Sequence, residues 1–475
     1  MTNIQANLLS FAYIALVIKI ATIISKKSSK EVSRKFIHIL LGNWVLFYPF
    51  YTNLFSLIFV PFVFIIINLL STKYTLISAM EHEEDVGYGT VYYALSLLLL
   101  SSFSFILRNP IPFYVGVLSM AYGDGFAALI GKRFGKKHPI STSDKSYPGT
   151  ITVFSVTVGV TLICLMSFGP SNLNLLAMIL ISIINGCLGS LVEFIGTDGT
   201  DNLFLPISTG VFAYLSTMQF DIYYSIAILV MIIILYYAYR KNSITLGGSA
   251  TAFLTGICLY QLGDAYLFAN LLVFFVGGSI VSKISNSIKQ QGEALQSESG
   301  ARTWIQVLAN SLPATLIVWA IHLDPQFSSL KLLPFVVLSV PFADTFASEL
   351  GMLSKGTVRS IVTWKRLPVG LSGGITVFGT FAGLIGAGLS ALFVIPTYGI
   401  QAFLNVLTLG FIGMLIDSIL GATIQRKYTD ETYGLRDAAL SSDQKSTKGF
   451  EWVSNSTINI LTILIVTSFG FALLY

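Results

Sequence analysis

The chain has 475 residues, of which 54% are hydrophobic and only 11% charged, with a mean hydropathy of +0.76. Soluble domains carry about 25% charged residues, so this composition excludes a water-soluble globular enzyme. The net charge of +5 sits in short basic loops between apolar runs, which is a topology signal, and no nucleic-acid partner is expected.

A bilayer core needs ~20 apolar residues per helix, and about sixteen runs near that length are present. They fall near 7–25, 37–53, 54–70, 90–107, 111–131, 149–168, 174–195, 203–220 and 222–239, then 245–262, 265–283, 304–322, 329–350, 371–396, 399–425 and 452–474. The runs are too long for ~10-residue barrel strands, and helices satisfy their own backbone groups in lipid. The expected fold is therefore an all-α integral membrane protein. The first run lacks an A-x-A-like cleavage site and is retained as a helix.

Lys26, Lys27, Lys30, Arg34 and Lys35 follow the first run, and Lys132, Arg133, Lys136, Lys137 and Lys145 follow the fifth. Arg240 and Lys241 follow the ninth, Lys355, Arg359, Lys365 and Arg366 the thirteenth, and Arg426, Lys427 and Arg436 the fifteenth. All these loops fall on one side, so the positive-inside rule makes them cytoplasmic and puts both termini outside a multi-pass cell membrane. Cys164, Cys187 and Cys258 lie in apolar runs without ligand spacing and read as packing residues. His82, His138 and His322 are isolated and read as structural or solvated.

The chain contains an internal duplication. Residues 124–131 read DGFAALIG and residues 344–351 read DTFASELG. Twenty-one residues after each Asp stands a lysine, Lys145 and Lys365, opening KSYPGTITVF and KRLPVGLSGGITVF. GCLGSLVE then ends at Glu193 and GFIGMLID at Asp417. The second copy is four residues longer between its Asp and its final acid, which equals the insertion after Lys365. A shift of eight runs preserves orientation, so these are parallel repeats, expected as domains 1–242 and 243–475.

Acidic residues at the ends of membrane helices are costly and by default point to function. In the first half Asp124 shares a face with Ala128 and Gly131, and the basic segment from Lys132 to Lys145 follows. Ser146 and Gly149 then open the next helix, where backbone N–H groups, a hydroxyl and Lys145 suit an anion. Glu193 precedes a Gly-rich acidic loop with Asp198, Asp201 and Asn202, which suits Mg²⁺ held by oxygen ligands and phosphates. Arg34 and His38, one turn apart, form a further candidate pair. Phosphate-binding bases beside Mg²⁺-binding acids imply nucleotide chemistry, and the absence of G-x-x-x-x-G-K-[ST] excludes a P-loop enzyme.

The second half repeats these parts. Ser282, Ser285, Asn286 and Lys289 lie on one face, and Arg302, Gln306 and Asn310 form a second polar stripe. Asp344 and Ser348 share a face, whereas Glu349 lies ~140° away on an ideal helix and reaches the same site only if the helix ends near Gly351. Asp417 and Gln425 share a face. Gly370 and Gly373, between Lys365 and the next helix, form a candidate anion cradle. Asp124, Glu193, Asp201, Asp344 and Asp417 are the candidate metal ligands.

These motifs carry a resemblance to known families. RKFIH (34–38), GTVYYALS (89–96), YGDGFAALIGKRFGK (122–136), KSYPGT (145–150), and LVE followed by DNLFLP (201–206) make the first half resemble the phytol kinase, dolichol kinase and CTP-dependent diacylglycerol kinase group. Pro148 stands where that group is expected to have an acidic residue. The second half resembles the phytyl-phosphate kinase family through SKISN (282–286), GART with QVLAN (300–310), PFADTFASELG (341–351), VTWKRLPVGLSGGIT (362–376) and DSILGATIQ (417–425).

The resemblance implies a CTP-like donor, Mg²⁺ and isoprenoid lipid substrates. It implies a bifunctional enzyme that converts an isoprenoid alcohol to its monophosphate and then to its diphosphate. Asp124 or Glu193 would accept the alcohol proton, while Lys365 and Arg302 would position and neutralise the phosphates. Two rival readings stay open: a membrane transporter, against which the charges lie at helix ends, and a lipid cytidylyltransferase, which would release pyrophosphate in place of a nucleoside diphosphate.

Overall fold

The computed structural model describes residues 1–26, 30–74, 88–135, 145–197, 199–296, 300–441 and 444–474. Regular structure in these residues is almost all helical. The exceptions are two short antiparallel pairs, β1 (Arg359–Ser360) with β2 (Gly374–Ile375) and β3 (Tyr428–Asp430) with β4 (Gly434–Arg436). Twelve helical segments among the described residues are long and apolar enough to cross a membrane.

Twelve is fewer than the sixteen runs suggested, for local reasons. The run at 37–53 is a helix that tightens at Asn43 into a 3₁₀ stretch ending at Phe50, with Pro49 inside it. The run at 203–220 is helical over Asp201–Met218, but Asp201, Asn202, Ser208 and Thr209 dilute its apolar character. The run at 245–262 is a 13-residue helix continued by a π-helical segment, Leu259–Gly263. The runs at 371–396 and 399–425 join into one 47-residue helical stretch, Val377–Thr423, whose backbone breaks at Gly399 (φ 76°).

The chain forms two compact units, Met1–Ser225 and Ile226–Tyr475. This division falls ahead of the expected one after residue 242. Most of the helix Ile222–Arg240 joins the second unit, where Met231 packs so closely on Gly256 that a methyl there would lie 2.6 Å from its sulfur.

The first unit holds α1 (Asn3–Ser25), α2 (Lys30–Gly42), α3 (Leu54–Tyr74), α4 (Gly89–Leu107), α5 (Ile111–Leu118), α6 (Gly125–Phe134), α7 (Tyr147–Phe168), α8 (Leu175–Ile195) and α9 (Asp201–Met218). Helix α5 is apolar on all sides, as a core helix must be, and packs against α4, α7 and α9. A π-helical segment, Ser119–Asp124, joins it to α6. Such segments disturb the regular hydrogen-bond ladder and recur at functional sites.

The second unit holds α10 (Ile222–Arg240), α11 (Leu246–Cys258), α12 (Ala265–Lys283), α13 (Ser287–Glu293), α14 (Trp304–Leu323), α15 (Leu333–Gly351), α16 (Val377–Ala391), α17 (Ile395–Thr423) and α18 (Asn455–Leu474). Here α15 is the enclosed helix, packed by α12, α14, α16, α17 and α18. Its Phe335, Val336, Leu338, Val340 and Phe342 are buried, with Ser339 the one polar side chain among them.

The spans Ile111–Phe134 and Pro325–Gly351 are 61% and 67% buried, against at most 44% for any other candidate span. The first carries Asp124 and the second Asp344. In each unit, therefore, the motif aspartate extends from the most enclosed helix.

Candidate active sites

In the first unit, Asp124 ends the π-helical segment, and α2 brings a lysine and a histidine to it. Lys35 Nζ lies 2.7 Å from Asp124 Oδ2, and His38 Nε2 lies 3.3 Å from the same oxygen. Tyr93 fixes His38 by donating to its carbonyl at 2.9 Å and packing edge-on against its ring. The cation against Asp124 is thus Lys35, one position on from Arg34; His38 is where the pair was expected.

Lys145 gathers the other two acids. Its Nζ lies 2.8 Å from Glu193 Oε1 and 2.9 Å from Asp201 Oδ2, and it donates to the Glu193 carbonyl at 2.7 Å. Burial alone would lower the pKa of this ammonium, but Asp201, Glu193 and Asp124 outweigh it and hold Lys145 above the ordinary lysine value. Asp124, Lys145, Glu193 and Asp201 are therefore close enough to act on one another. Glu193 Oε2 is buried and has no hydrogen-bond partner among the described residues, and the same is true of Asn202 Oδ1. Asn202 Nδ2 donates to the Gly89 carbonyl at 3.1 Å, tying α9 to the start of α4.

Ser146 has a local task. Its Oγ accepts from Gly149 N at 3.3 Å and caps α7, the ordinary use of Ser at this position. Gly131 lies against it, since a methyl there would come 2.6 Å from Ser146 Oγ. Lys132 is exposed on the last turn of α6. Lys136, Lys137, His82, His138 and Asp198 lie outside the described residues.

In the second unit most of the predicted residues line one polar cavity of about 420 Å³. Arg302, Gln306 and Asn310 come from the start of α14, Asp344, Ser348 and Glu349 from α15, Gly370 and Gly373 from the loop before β2, and Asp417 and Gln425 from α17 and its exit. Glu349 reaches the cavity because α15 stops at Gly351. Its Oε1 accepts from Ser282 Oγ at 2.8 Å, and its Oε2 lies 2.7 Å from Lys289 Nζ. Lys289 is fully buried and also donates to the carbonyls of Val281, Ser282 and Ile284 at 2.8–3.0 Å, closing the end of α12.

Asp344 has no hydrogen bond or ion pair among the described residues, although it faces this cavity. Asp417 accepts from Thr462 Oγ1 at 3.2 Å, and Asn459 stands between it (3.2 Å) and Asn310 (3.1 Å). Among the described residues no three His, Cys, Asp or Glu side chains converge as a ready metal site. Mg²⁺ needs no such cage, being held by one or two carboxylates together with phosphates. The oxygen donors Asp344 and Asp417 fit that description, as does the unpartnered oxygen of Glu193.

Three expected contributors are placed differently. Lys365 is exposed and does not line the cavity. The pairing of Arg359 with Ile375 and its bridge to Arg366 turn residues 361–365 outward. Asn286 caps α13, accepting from Lys289 N at 2.8 Å, and donates to the Leu353 carbonyl at 3.1 Å. Gln306 lines the cavity, but its Oε1 accepts from Thr303 N at 2.8 Å, completing a capping box on α14.

The glycine cradle is already filled from within. Gly370 and Gly373 have φ of +85° and +81°, and a methyl at either would overlap the backbone of Gly292 or Ala422. They are required by a tight approach to α13 and α17. Between them Ser372 donates its backbone N–H (2.9 Å) and hydroxyl (2.8 Å) to Asp437, while Lys427 Nζ donates to the Ser372 carbonyl at 2.8 Å. Burial raises the Asp437 carboxyl above its ordinary pKa, and the two Ser372 hydrogen bonds and Lys427 oppose that rise. Asp437 and Ser372 were not singled out from sequence, and Lys35 and Lys427 stood there among the basic loop residues that set the topology. Asp437 and Lys427 stand in a polar loop about 60 residues from the motif they hold, which no local spacing reveals.

A family model described as integral membrane protein DUF92 matches residues 229–467. The chain is 31% identical to a phytol kinase of Synechocystis sp. over 43% of this chain and 89% of that protein. It is 30% identical to Protein PGR of Arabidopsis thaliana over 51% of this chain and 93% of that protein. An uncharacterized membrane protein of Methanocaldococcus jannaschii is 36% identical over 39% of this chain and 75% of its own length. No solved structure matches.

Proposed function

The chain belongs to the DUF92 family of integral membrane proteins, and from that premise we propose that it is a membrane isoprenoid kinase with two successive activities. The first unit phosphorylates an isoprenoid alcohol of the phytol, geranylgeraniol or polyprenol class. The second phosphorylates the resulting monophosphate to a diphosphate. A CTP-like nucleoside triphosphate is the donor at both sites, both face the cytoplasm, and Mg²⁺ neutralises phosphate charge when bound. The similarity to a phytol kinase supports the first step; the resemblance of residues 282–425 to phytyl-phosphate kinases supports the second.

The observation that carries this reading is the placement of Asp124 and Asp344. Each extends from the most enclosed helix of its unit into a cluster of acidic and basic groups. In the first step the alcohol oxygen forms a bond to the terminal phosphorus, the bond to the nucleoside diphosphate breaks, and the hydroxyl proton passes to a carboxylate. Glu193 Oε2, buried and without a hydrogen-bond partner among the described residues, is the better-placed acceptor, because Asp124 Oδ2 is held by Lys35 and His38. Lys35 and Lys145 hold the acids in register and offset incoming phosphate charge.

A phosphate nucleophile is already ionised and needs no base. The second unit accordingly offers Arg302 for phosphate and Asp344 and Asp417 for the cation, and its work is positioning. Keeping both sites on one chain raises the effective concentration of the membrane-held monophosphate at the second site. The test is product analysis with purified protein, lipid alcohol and labelled nucleotide in Asp124→Asn and Asp344→Asn variants. The first should block monophosphate formation and spare its further phosphorylation; the second should make the monophosphate accumulate. Loss of both activities in either variant would count against two sites.

A further inference from the structure

The polar cavity of the second unit adjoins a narrow apolar groove, and the two share Arg302, Gln306 and Asn310. The groove is walled by Ile234 and Leu235 of α10, Leu271, Phe274 and Phe275 of α12, and Val307 of α14. On either side of it α10 and α12 present exposed apolar residues, Ile232, Ile233, Val273 and Val276 among them. In a membrane span such a surface meets lipid. Apolar wall, polar rim and polar cavity thus follow one another from the lipid side inward.

Arg302 stands at the junction. Its guanidinium carbon lies 5.8 Å from the ring centres of both Phe274 and Phe275. It rests against Gly278, where a methyl would come 2.6 Å from Nη2. The guanidinium has no hydrogen bond or ion pair among the described residues, and Glu349, the acid that acts on it electrostatically, is committed to Lys289 and Ser282. A guanidinium held by two aromatic faces, with its donors unspent, suits a phosphate presented by a chain lying on those same faces.

We propose that this groove is the lipid entry of the second site: an isoprenyl monophosphate lays the first units of its chain between α10 and α12 and places its phosphate on Arg302. The chain end extends along the lipid-facing sides of these helices, and the phosphate faces Asp344 and Asp417 across the cavity. The assignment rests on the second-unit reading above in taking the occupant to be an isoprenyl phosphate. It adds where the lipid enters and which residues would select for an apolar chain.

The test is photolabelling of the full chain in lipid nanodiscs with a farnesyl monophosphate analogue carrying a diazirine near its phosphate end. The expected label falls on residues 231–235 and 271–275, is competed by unlabelled farnesyl monophosphate but not by farnesol, and drops at least tenfold in Arg302→Gln. Because Arg302→Gln is a buried change, Leu271→Trp serves as a second variant. It fills the groove, and the expected result is a tenfold higher KM for farnesyl monophosphate, with a smaller rise for dimethylallyl monophosphate, which has a single unit to place there. Label confined to other helices, or label unaffected by competitor, overturns the entry route. Groove label that is specific while wild-type protein forms no diphosphate overturns the kinase reading and leaves the binding site standing.

Discussion

The two units place the same aspartate on the same kind of helix and surround it differently. Around Asp124 every acid has a lysine: Lys35 for Asp124, and Lys145 for both Glu193 and Asp201. In the second unit Lys289 is spent on Glu349 and on helix-end carbonyls, Lys283 on the cavity wall donates to the Lys241 carbonyl, and Asp344 has no cation at ion-pair distance among the described residues. A site that must take a proton from an alcohol needs its carboxylates held in register by fixed charges. A site whose nucleophile arrives as a dianion needs acids free to hold a cation and an arginine free to hold the phosphate. The difference between the units follows the difference between the two proposed substrates.

The largest effects should come from breaking one side of this comparison at a time. Glu193→Gln removes the unpartnered oxygen and should slow alcohol phosphorylation by ~10²–10⁴-fold, the usual worth of a general base, while the monophosphate is still phosphorylated at the wild-type rate. Single-turnover assays on each lipid would show this. A comparable loss in both steps would mean that the units do not work separately.

Next in size is the buried lysine of the second unit. Lys289→Met leaves Glu349 and three carbonyls without their partner and should destabilise the protein by ~3–5 kcal/mol, read as a lower melting temperature in detergent. Lys365→Ala, on an exposed turn away from the cavity, should stay within about 0.5 kcal/mol of wild type and retain the second activity. An equal loss in the two variants would place Lys365 back in the site.

Asp437→Asn tests the internal filling of the glycine loop. Weakening two hydrogen bonds to Ser372 should cost ~1–3 kcal/mol and raise KM for the second lipid step without changing the first. The smallest effect concerns pH. The folded pKa of Lys145 is raised, so its contribution is fully present below the ordinary lysine pKa and is lost only as pH climbs through the higher folded value. The stability gap between wild type and Lys145→Met should therefore stay level from pH 7 to 9. A gap that closes within that range would show Lys145 losing its proton there.

The apolar runs made the fold class legible, because ~20-residue stretches with almost no charge have few alternatives to a membrane helix. The count was less legible. Near residues 43, 259 and 399 the backbone departs from simple spans through 3₁₀, π and glycine features that hydropathy averages over, and over 201–218 polar residues thin out an otherwise regular helix. Residues convergent in sequence pattern mostly converge in space: Asp124, Lys145, Glu193 and Asp201 in one unit, and Arg302, Asp344, Glu349 and Asp417 in the other. Ser146, Asn286 and Gln306 show why pattern alone overreaches. A hydroxyl or amide at the start of a helix suits an anion and suits a cap equally well, and in these three the cap takes the side chain. Lys35, rather than Arg34, meets Asp124 because adjacent helical residues point about 100° apart, so the choice depended on the rotation of α2 within its unit.

Sequential phosphorylation is read directly by incubating the purified protein with geranylgeraniol or phytol, Mg²⁺ and each labelled nucleoside triphosphate, and resolving the lipid products over time. Two successive kinase steps give a monophosphate that rises first, a diphosphate that follows, and release of nucleoside diphosphate without pyrophosphate. No phosphorylated lipid from any alcohol or monophosphate would contradict both steps, and pyrophosphate as the released product would point to nucleotidyl transfer instead.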